Sequence, residues 1–392
     1  MSSRRVFLKR TAAVCSIGSS VPQVWRQAAS AAGPDRDATI LVVVELTGGN
    51  DGLNTVVPHA NDVYQKSRPT LRVKPDKVLK LDDLVGLNDA LKDMQPFWDG
   101  GDLAVIQQVG YPNPNRSHFE SMAVWQSGAA GQAAAPAGWL GRAADAHPGL
   151  SPCHVGPAAP PLAVRGRTAA PQSLASLAEF QLAPGADLGP AAESKNTNSG
   201  PVVEAIRAQY REASDLLRRL EQVPRDGGTL PVAGTLEGRL ETVRRMIAAQ
   251  APARVYYTSL DGFDTHAAQV YAHPRLLRTL AESLAAFFKN LKESRDDART
   301  AVLVFSEFGR RLKENASGGT DHGAPGPVLL VGPGVKGGLY GSHPDLSKLD
   351  EVGDPRFAVD YRDVYAAVLR RWLDVDPSPI VGPREAAFNL FG

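Results

Sequence analysis

The chain has 392 residues, a formal net charge of +1 at pH 7, 43% hydrophobic residues and 22% charged residues. This composition is typical of a globular protein with enough mass for a large buried core. The near-neutral charge gives no electrostatic argument for a nucleic-acid partner. The charge is unevenly spread, however: residues 1–31 carry five basic residues and no acid, so the remainder has a net charge of −4.

The N-terminal segment has the three parts of an export signal in the required order. Arg4-Arg5 is a paired arginine, Thr11–Val24 is mildly apolar, and Ala29-Ser30-Ala31 is a small-residue cleavage motif. The paired arginine resembles a twin-arginine signal, so we expect residues 1–31 to be a signal peptide and the protein to be periplasmic or extracellular. The alternative is a basic, solvated helix start. No window is apolar enough for a transmembrane anchor.

Short apolar runs alternate with amphipathic helical patterns over residues 38–392. In chain order they predict strand Ile40–Leu46, strand Leu103–Val109, helices over 202–220 and 236–247, strand Val255–Leu260, a helix over 277–291, strands Ala301–Phe305 and Val328–Val331, and a helix over 364–373. This alternation predicts an α/β fold with a mostly parallel sheet flanked by helices. Because residues 150–250 are rich in Ala, Pro and Gly or helical, we expect a single domain with an inserted helical and irregular segment there.

Polar side chains follow four of the predicted strands. Ligand sites in open α/β sheets lie at the carboxyl ends of the strands, so we expect these residues to converge. They are Asp51 after the first strand, Arg116, Ser117 and His118 after the second, Asp264 and His266 after the third, and Glu307 after the fourth.

His322 stands before the fifth strand, which is the wrong end in an all-parallel sheet. If the fifth strand runs antiparallel to the fourth, the connection between them is a long hairpin that returns His322 to Glu307. We predict that hairpin. Glu307 and His322 at opposite edges of the sheet would contradict a shared site.

Carboxylates with imidazoles are suited to Zn, Mn or Mg ions. We therefore predict one or two divalent ions, which would clamp the oxygens of a phosphoryl-type transfer. The predicted ligands are Asp51, Asp264, His266, Glu307 and His322. The predicted catalytic residues are Ser117 as nucleophile, Arg116 as a partner for anionic oxygens, and His118.

Several of these residues also have a purely structural interpretation. Asp51 fits the cap of a Gly-rich turn. Ser117 fits a helix N-cap with Glu120 as its capping-box partner. Arg310 fits the ion-pair partner of Glu307. The sequence leaves these alternatives open.

Seven motifs together resemble the DUF1501 family of exported bacterial proteins, over nearly the whole chain after the signal. They are Leu46–Thr55, Ser117–Glu120, Gly138–Arg142, Gly262–His266, Ser306–Arg310, Gly319–Gly323 and Gly332–Gly338. The family is similar in turn to the alkaline phosphatase and sulfatase superfamily. That resemblance implies an alkaline-phosphatase-like α/β core with a bimetal site and a Ser, Thr or modified Cys nucleophile.

The superfamily resemblance implies a role for individual positions. Asp51 matches its first metal aspartate, Ser117 its nucleophile, and His322 a ligand histidine. Asp264 and His266 resemble an aspartate and histidine pair of the superfamily, with a tighter spacing. Phe308 stands where the superfamily has a histidine, so one ligand is missing, and His118 is the candidate that compensates for it.

The function that these features favour is an exported, metal-dependent hydrolase of phosphate-type esters, with small anionic esters or polysaccharide-derived molecules as substrates. Sulfate esters are less favoured because no Cys or Ser is followed at two and four places by Pro and Arg. The rival is a non-catalytic exported binding or scaffold protein on the same fold, acting with an exported partner protein.

Overall fold

The computed structural model describes residues 37–129, 135–177, 215–223, 232, 234–384 and 388–392. The predicted signal peptide lies outside these residues, as does most of the predicted helix over 202–220, of which residues 215–222 are helical. Within the described part, none of the helices is long and apolar enough to cross a membrane.

The strands are short apart from those at the centre of the main sheet. In chain order they are β1 Ile40–Thr47, β2 Val56–Val57, β3 Val78–Lys80, β4 Gly86–Asn88, β5 Leu103–Gly110, β6 Pro152–Val155, β7 Gln172–Leu174, β8 Val255–Asp261, β9 Thr300–Phe305, β10 Arg310–Glu314, β11 Thr320–His322, β12 Gly326–Val331, β13 Gly338–Tyr340 and β14 Val359–Asp360.

The helices vary from single turns to a helix of 26 residues. In chain order they are α1 Gly52–Thr55, α2 Asp62–Ser67, α3 Gln95–Asp99, α4 His118–Ser127, α5 Trp139–Ala146, α6 Leu236–Ala248, α7 Gln269–Ser294, α8 Tyr361–Ala367 and α9 Ser378–Val381. Val368–Trp372 continues α8 as a π-helical segment, and short 3₁₀ segments lie at Pro75–Lys77, Asp89–Met94, Pro148–Leu150 and Leu162–Val164.

Nine strands form the central sheet, in the order β13-β5-β12-β9-β1-β8-β6-β7, with β14 added beside β5. Strand β12 runs antiparallel to both its neighbours, β5 and β9, and the other pairs are parallel. The predicted mostly parallel α/β architecture is therefore confirmed. The predicted hairpin is confirmed as well, because β12 runs antiparallel to β9, and the β10–β11 pair between them brings His322 opposite Arg310.

The apolar run of β1 is buried on both faces, as expected for a parallel strand between helical layers. Val42 and Val44 face the layer that contains α6 and α7, whereas Leu41 and Val43 face the layer of α4, α5 and α8. This alternation follows the two-residue period of a strand. The four side chains are at most 1% exposed, and each contributes about 1.5–3 kcal/mol by burial.

The stretch at 150–250 contributes more to the core than its composition indicates. Strands β6 and β7 extend the central sheet beyond β8, and α6 packs against that side of the sheet. Neither strand is predicted from the sequence, because they are only four and three residues long and contain Pro, His, Gln and Ser. Residues 152–174 therefore form part of the central sheet and its core.

Candidate metal centre

Three segments that follow strands of the central sheet and one hairpin meet at the carboxyl edge of the sheet. Asp264 and His266 lie in the loop after β8, and Glu307 lies two residues beyond β9. His118 is the first residue of α4, in the segment that follows β5, and His322 ends β11 in the hairpin after β9. The structure therefore brings together five of the residues that the sequence singles out.

One carboxylate oxygen forms the centre of this cluster. Asp264 Oδ1 lies 3.0 Å from His266 Nε2, 3.1 Å from His322 Nε2 and 3.5 Å from His118 Nε2. His266 Nε2 and His322 Nε2 are only 2.8 Å apart. The ligand atoms of His118, Asp264 and His322 all lie within 4.8 Å of one another.

The opposite nitrogen of each imidazole faces an oxygen. His118 Nδ1 lies 2.8 Å from Glu307 Oε1, and His322 Nδ1 lies 2.8 Å from the Arg116 carbonyl oxygen. His266 Nδ1 lies 3.5 Å from an oxygen of Asp321. An imidazole that donates from Nδ1 presents the lone pair of Nε2, so these acceptors direct the three Nε2 lone pairs toward Asp264.

This arrangement fits a divalent ion. His118 Nε2 is buried and has no hydrogen-bond partner among the described residues. Neutral Nε2 atoms that face each other have no donor between them, whereas a shared cation would satisfy all of them. Three imidazole nitrogens with one carboxylate oxygen, backed by outer oxygen acceptors, form a donor set that suits zinc.

The charges around the cluster keep the central carboxylate ionised. Burial by itself would raise the pKa of Asp264, but the hydrogen bond from Arg310 and the close approach of the His322 ring lower it to about 2. The hydrogen bond to Glu307 raises the pKa of His118 above its ordinary value, against the opposing effect of burial. Arg310 is buried and also donates to backbone carbonyls of three loops, so it holds the loops around Asp264. Its ion pair with Asp264 corrects the expectation that it pairs with Glu307.

Glu307 lies behind His118 rather than among the converging atoms. Its Oε1 accepts from the His118 ring and from the Gly48 amide at 2.9 Å, and its Oε2 accepts from the Ser306 hydroxyl at 2.9 Å. The side chain is fully buried. Glu307, a predicted ligand, is thus placed as the hydrogen-bond partner of His118.

Asp51 is also placed differently from the prediction. It is completely buried, forms an ion pair of 2.6 Å with Arg68, and accepts from the side chain of Gln269. Its other oxygen accepts from the Asn54 amide at the start of α1, which matches the turn-cap interpretation. Although burial acts to raise its pKa, Arg68 and His273 lower it below the usual range. Both oxygens of Asp51 therefore have partners away from the group of His118, Asp264 and His322.

Arg68 and Gln269 are the residues of this region that the sequence analysis missed. Neither belongs to a recognisable motif, since Arg68 ends a short helix and Gln269 begins a long one. The three-residue spacing from His266 to Gln269 is the only local signal. A three-residue spacing occurs too often in sequences to identify a site residue.

Arg116 and Ser117 enter α4 beside the cluster. The guanidinium of Arg116 forms ion pairs with Asp354 and with Asp350, the latter at 3.1 Å, so it is already occupied by acids of this chain. Ser117 is exposed and occupies the N-cap position of α4, but its side chain makes no capping bond. The capping-box interpretation with Glu120 is therefore not found.

Phe308 forms a wall of the cluster at the position where a histidine was expected. Its ring centroid lies 4.9 Å from that of His118 and 4.8 Å from that of His322. It is 1% exposed. His118 reaches the cluster from α4, and its ring packs beside Phe308.

Solved structures with a similar chain path are enzymes or enzyme domains at low sequence identity. The lipoteichoic acid synthase LtaP from Listeria monocytogenes is 8% identical, with a TM-score of 0.40, over 92% of this chain and 80% of that one. Murine ectonucleotide pyrophosphatase/phosphodiesterase 5 is 10% identical, with a TM-score of 0.41, over 88% and 97% of the two chains. The alkaline phosphatase from the Antarctic bacterium TAB5 is 12% identical, with a TM-score of 0.33, over 77% and 95%.

Among curated protein sequences, none matches the chain significantly. A family model does match: that of the proteins of unknown function DUF1501, over residues 104–381. The matched range contains His118, Asp264, His266, Glu307 and His322, and it excludes the loop of Asp51. The match covers more than half of the sequence, so the chain belongs to the DUF1501 family.

Proposed function

We propose that this protein is a metal-dependent hydrolase of phosphate-type esters, exported by the twin-arginine route. The observation that carries the proposal is the convergence of three imidazole Nε2 atoms on one oxygen of Asp264. His118, Asp264, His266 and His322 would hold one divalent ion, with zinc as the first choice for this donor set. The bound ion would supply positive charge to a phosphoryl oxygen of the substrate.

Ser117 is the proposed nucleophile. It precedes His118 at the N-terminus of α4, where no side chain caps the first amides. Those amides and the dipole of a ten-residue helix favour a phosphate group at this position. A bond forms between Ser117 Oγ and phosphorus while the bond from phosphorus to the leaving alcohol breaks. Because Ser117 is exposed, water accepts its proton and protonates the alcohol. A second water then releases phosphate from the serine.

The test begins with metal content. The full chain, exported by a host with a twin-arginine pathway and purified without chelators, should contain about one divalent ion per chain by elemental analysis. His322→Ala should lose the ion, whereas His343→Ala, a matched change at a histidine that contacts Asp82 and Gln107, should keep it. A correctly folded wild type without metal would refute the proposal.

Turnover is then measured on phosphate monoesters, phosphate diesters and sulfate esters, with the metallated protein. We expect hydrolysis of phosphate esters, little action on sulfate esters, and loss of turnover in Ser117→Ala with its metal content unchanged. Full activity in Ser117→Ala would contradict the nucleophile while leaving the metal centre in place.

Two exposed aromatic residues favour a second candidate, a metal-binding protein that acts with an exported partner. Phe119 is 88% exposed and directly follows His118, and Tyr271 is 80% exposed in the first turn of α7. Large apolar side chains exposed to water, one of them next to His118, suit a protein contact. Failure of the fully metallated protein to hydrolyse any ester of the panel would favour this candidate.

A further inference from the structure

Gln269, the first residue of α7, connects three parts of the structure through its side-chain amide. It is 1% exposed. Its Oε1 accepts from the Thr265 hydroxyl at 3.0 Å and from the Thr320 hydroxyl at 2.7 Å, and its Nε2 donates to Asp51. Every one of these partners is itself buried.

The two threonines belong to the segments that carry the candidate ligands. Thr265 stands between Asp264 and His266, and Thr320 stands two residues before His322. The backbones of these segments also meet, because the Thr320 amide donates to the Thr265 carbonyl at 3.2 Å. One amide oxygen thus joins the β8 loop to the β10–β11 hairpin.

Asp51 fixes the orientation of the Gln269 amide. An ionised carboxylate only accepts hydrogen bonds, so Asp51 requires Nε2 on its side and leaves Oε1 for the two hydroxyls. Asp51 is in turn fixed by Arg68, whose guanidinium also donates to the Leu312 and Arg311 carbonyls. The chain of buried bonds from Arg68 to the threonines therefore allows a single arrangement.

We propose that Gln269 is a positioning residue of the metal centre, which sets the distance between the Asp264–His266 segment and His322 and is itself oriented by Asp51. The inference rests on the proposed metal centre. The 2.8 Å separation of the His266 and His322 Nε2 atoms is the distance that these bonds control. Asp51 thus contributes to the site through Gln269 and not as a ligand. Outer residues that orient ligands change metal affinity by about 10–100-fold when they are replaced.

The test replaces Gln269 with leucine and compares it with a matched change. Gln172 in β7 is also 1% exposed, and its amide atoms have no hydrogen-bond partner among the described residues. Cobalt(II), whose visible spectrum reports coordination geometry, is titrated into metal-free wild type, Gln269→Leu and Gln172→Leu. We expect Gln269→Leu to bind cobalt about 10–100-fold more weakly, with a changed visible spectrum, and Gln172→Leu to match the wild type.

A gentler pair covers the case in which Gln269→Leu does not fold. Thr265→Val removes one of the bonds while keeping the side-chain shape, and we expect cobalt binding about tenfold weaker. Thr258→Val, at a fully buried threonine in β8 whose hydroxyl has no partner in the described part of the chain, is its control.

The outcomes separate this inference from the proposed function. Wild-type cobalt affinity and spectrum in folded Gln269→Leu or Thr265→Val overturn the positioning role and leave the metal centre intact. A wild type that binds no cobalt overturns both. Equal weakening in a variant and its control also overturns the inference, because general loosening of the fold then explains the loss.

Discussion

Glu307→Gln separates the charge of the outer carboxylate from its shape. In the native protein Glu307 Oε1 accepts from His118 Nδ1 at 2.8 Å and from the Gly48 amide at 2.9 Å. A glutamine oxygen at the same place accepts from both, and its amide group can donate to Ser306, which now donates to Oε2. The substitution therefore removes the negative charge behind His118 and keeps the hydrogen bonds.

The charge matters because a carboxylate strengthens the imidazole as a ligand. A charge-assisted hydrogen bond is about twice as strong as a neutral one, and loss of an outer carboxylate typically weakens metal binding by about 10–100-fold. That range corresponds to about 1.4–2.7 kcal/mol of binding free energy. Because Glu307 is fully buried, solvent does not screen this contribution.

Zinc affinity is measured at pH 7 by competition with a chromogenic chelator. Glu45→Gln is the control, because Glu45 in β1 is also a buried carboxylate and is bonded to Tyr257 and Gln126. We expect weaker zinc binding in Glu307→Gln and unchanged binding in Glu45→Gln. Native zinc affinity in folded Glu307→Gln would refute the role of its charge.

Three further predictions concern the stability of the fold. Burial raises the pKa of Glu45 to about 7, so its contribution to folding is complete below its ordinary value of 4.5 and is lost as the pH rises through about 7. Between pH 5 and 8 the wild type should lose up to about 3 kcal/mol of unfolding free energy relative to Glu45→Gln, measured in urea; a constant difference would contradict this. Ser117→Ala should change the unfolding free energy by less than about 0.5 kcal/mol, because the Ser117 hydroxyl caps no helix amide. Thr235→Ala removes the side-chain cap of α6 and should lower the unfolding free energy by about 1 kcal/mol. Equal losses in the two variants would show that Ser117 does cap α4. Gly49→Ala should cost about 1–3 kcal/mol, since φ is +74° and the new Cβ would lie 2.3 Å from the Phe308 ring; native stability in a thermal melt would contradict that crowding.

The long elements and the hairpin were predictable from local patterns. A run such as Val42-Val43-Val44 is buried on both faces in any parallel sheet, and the apolar steps of α6 and α7 repeat at the helical period. Because His322 stands before β12, it can lie near Glu307 only if β12 runs antiparallel to β9. The two strands do pair antiparallel. Strands β6 and β7 were missed because these segments are short and partly polar, and they are strands only through their pairing with β8 and with each other.

Sequence by itself determined the fold class, the family resemblance and the loops in which Asp264, His266 and Glu307 lie, because the loops that follow parallel strands all lie at one edge of the sheet. The antiparallel hairpin that returns to this edge places His322 there as well. Only the tertiary structure decided what each side chain faces. Asp51 and Glu307 are both carboxylates that follow parallel strands, so their sequence context predicts the same role for both, that of a metal ligand. Arg68, far from the motifs, neutralises Asp51, and His118 engages Glu307. A buried charge takes the partner that packing brings to it, and local sequence does not name that partner.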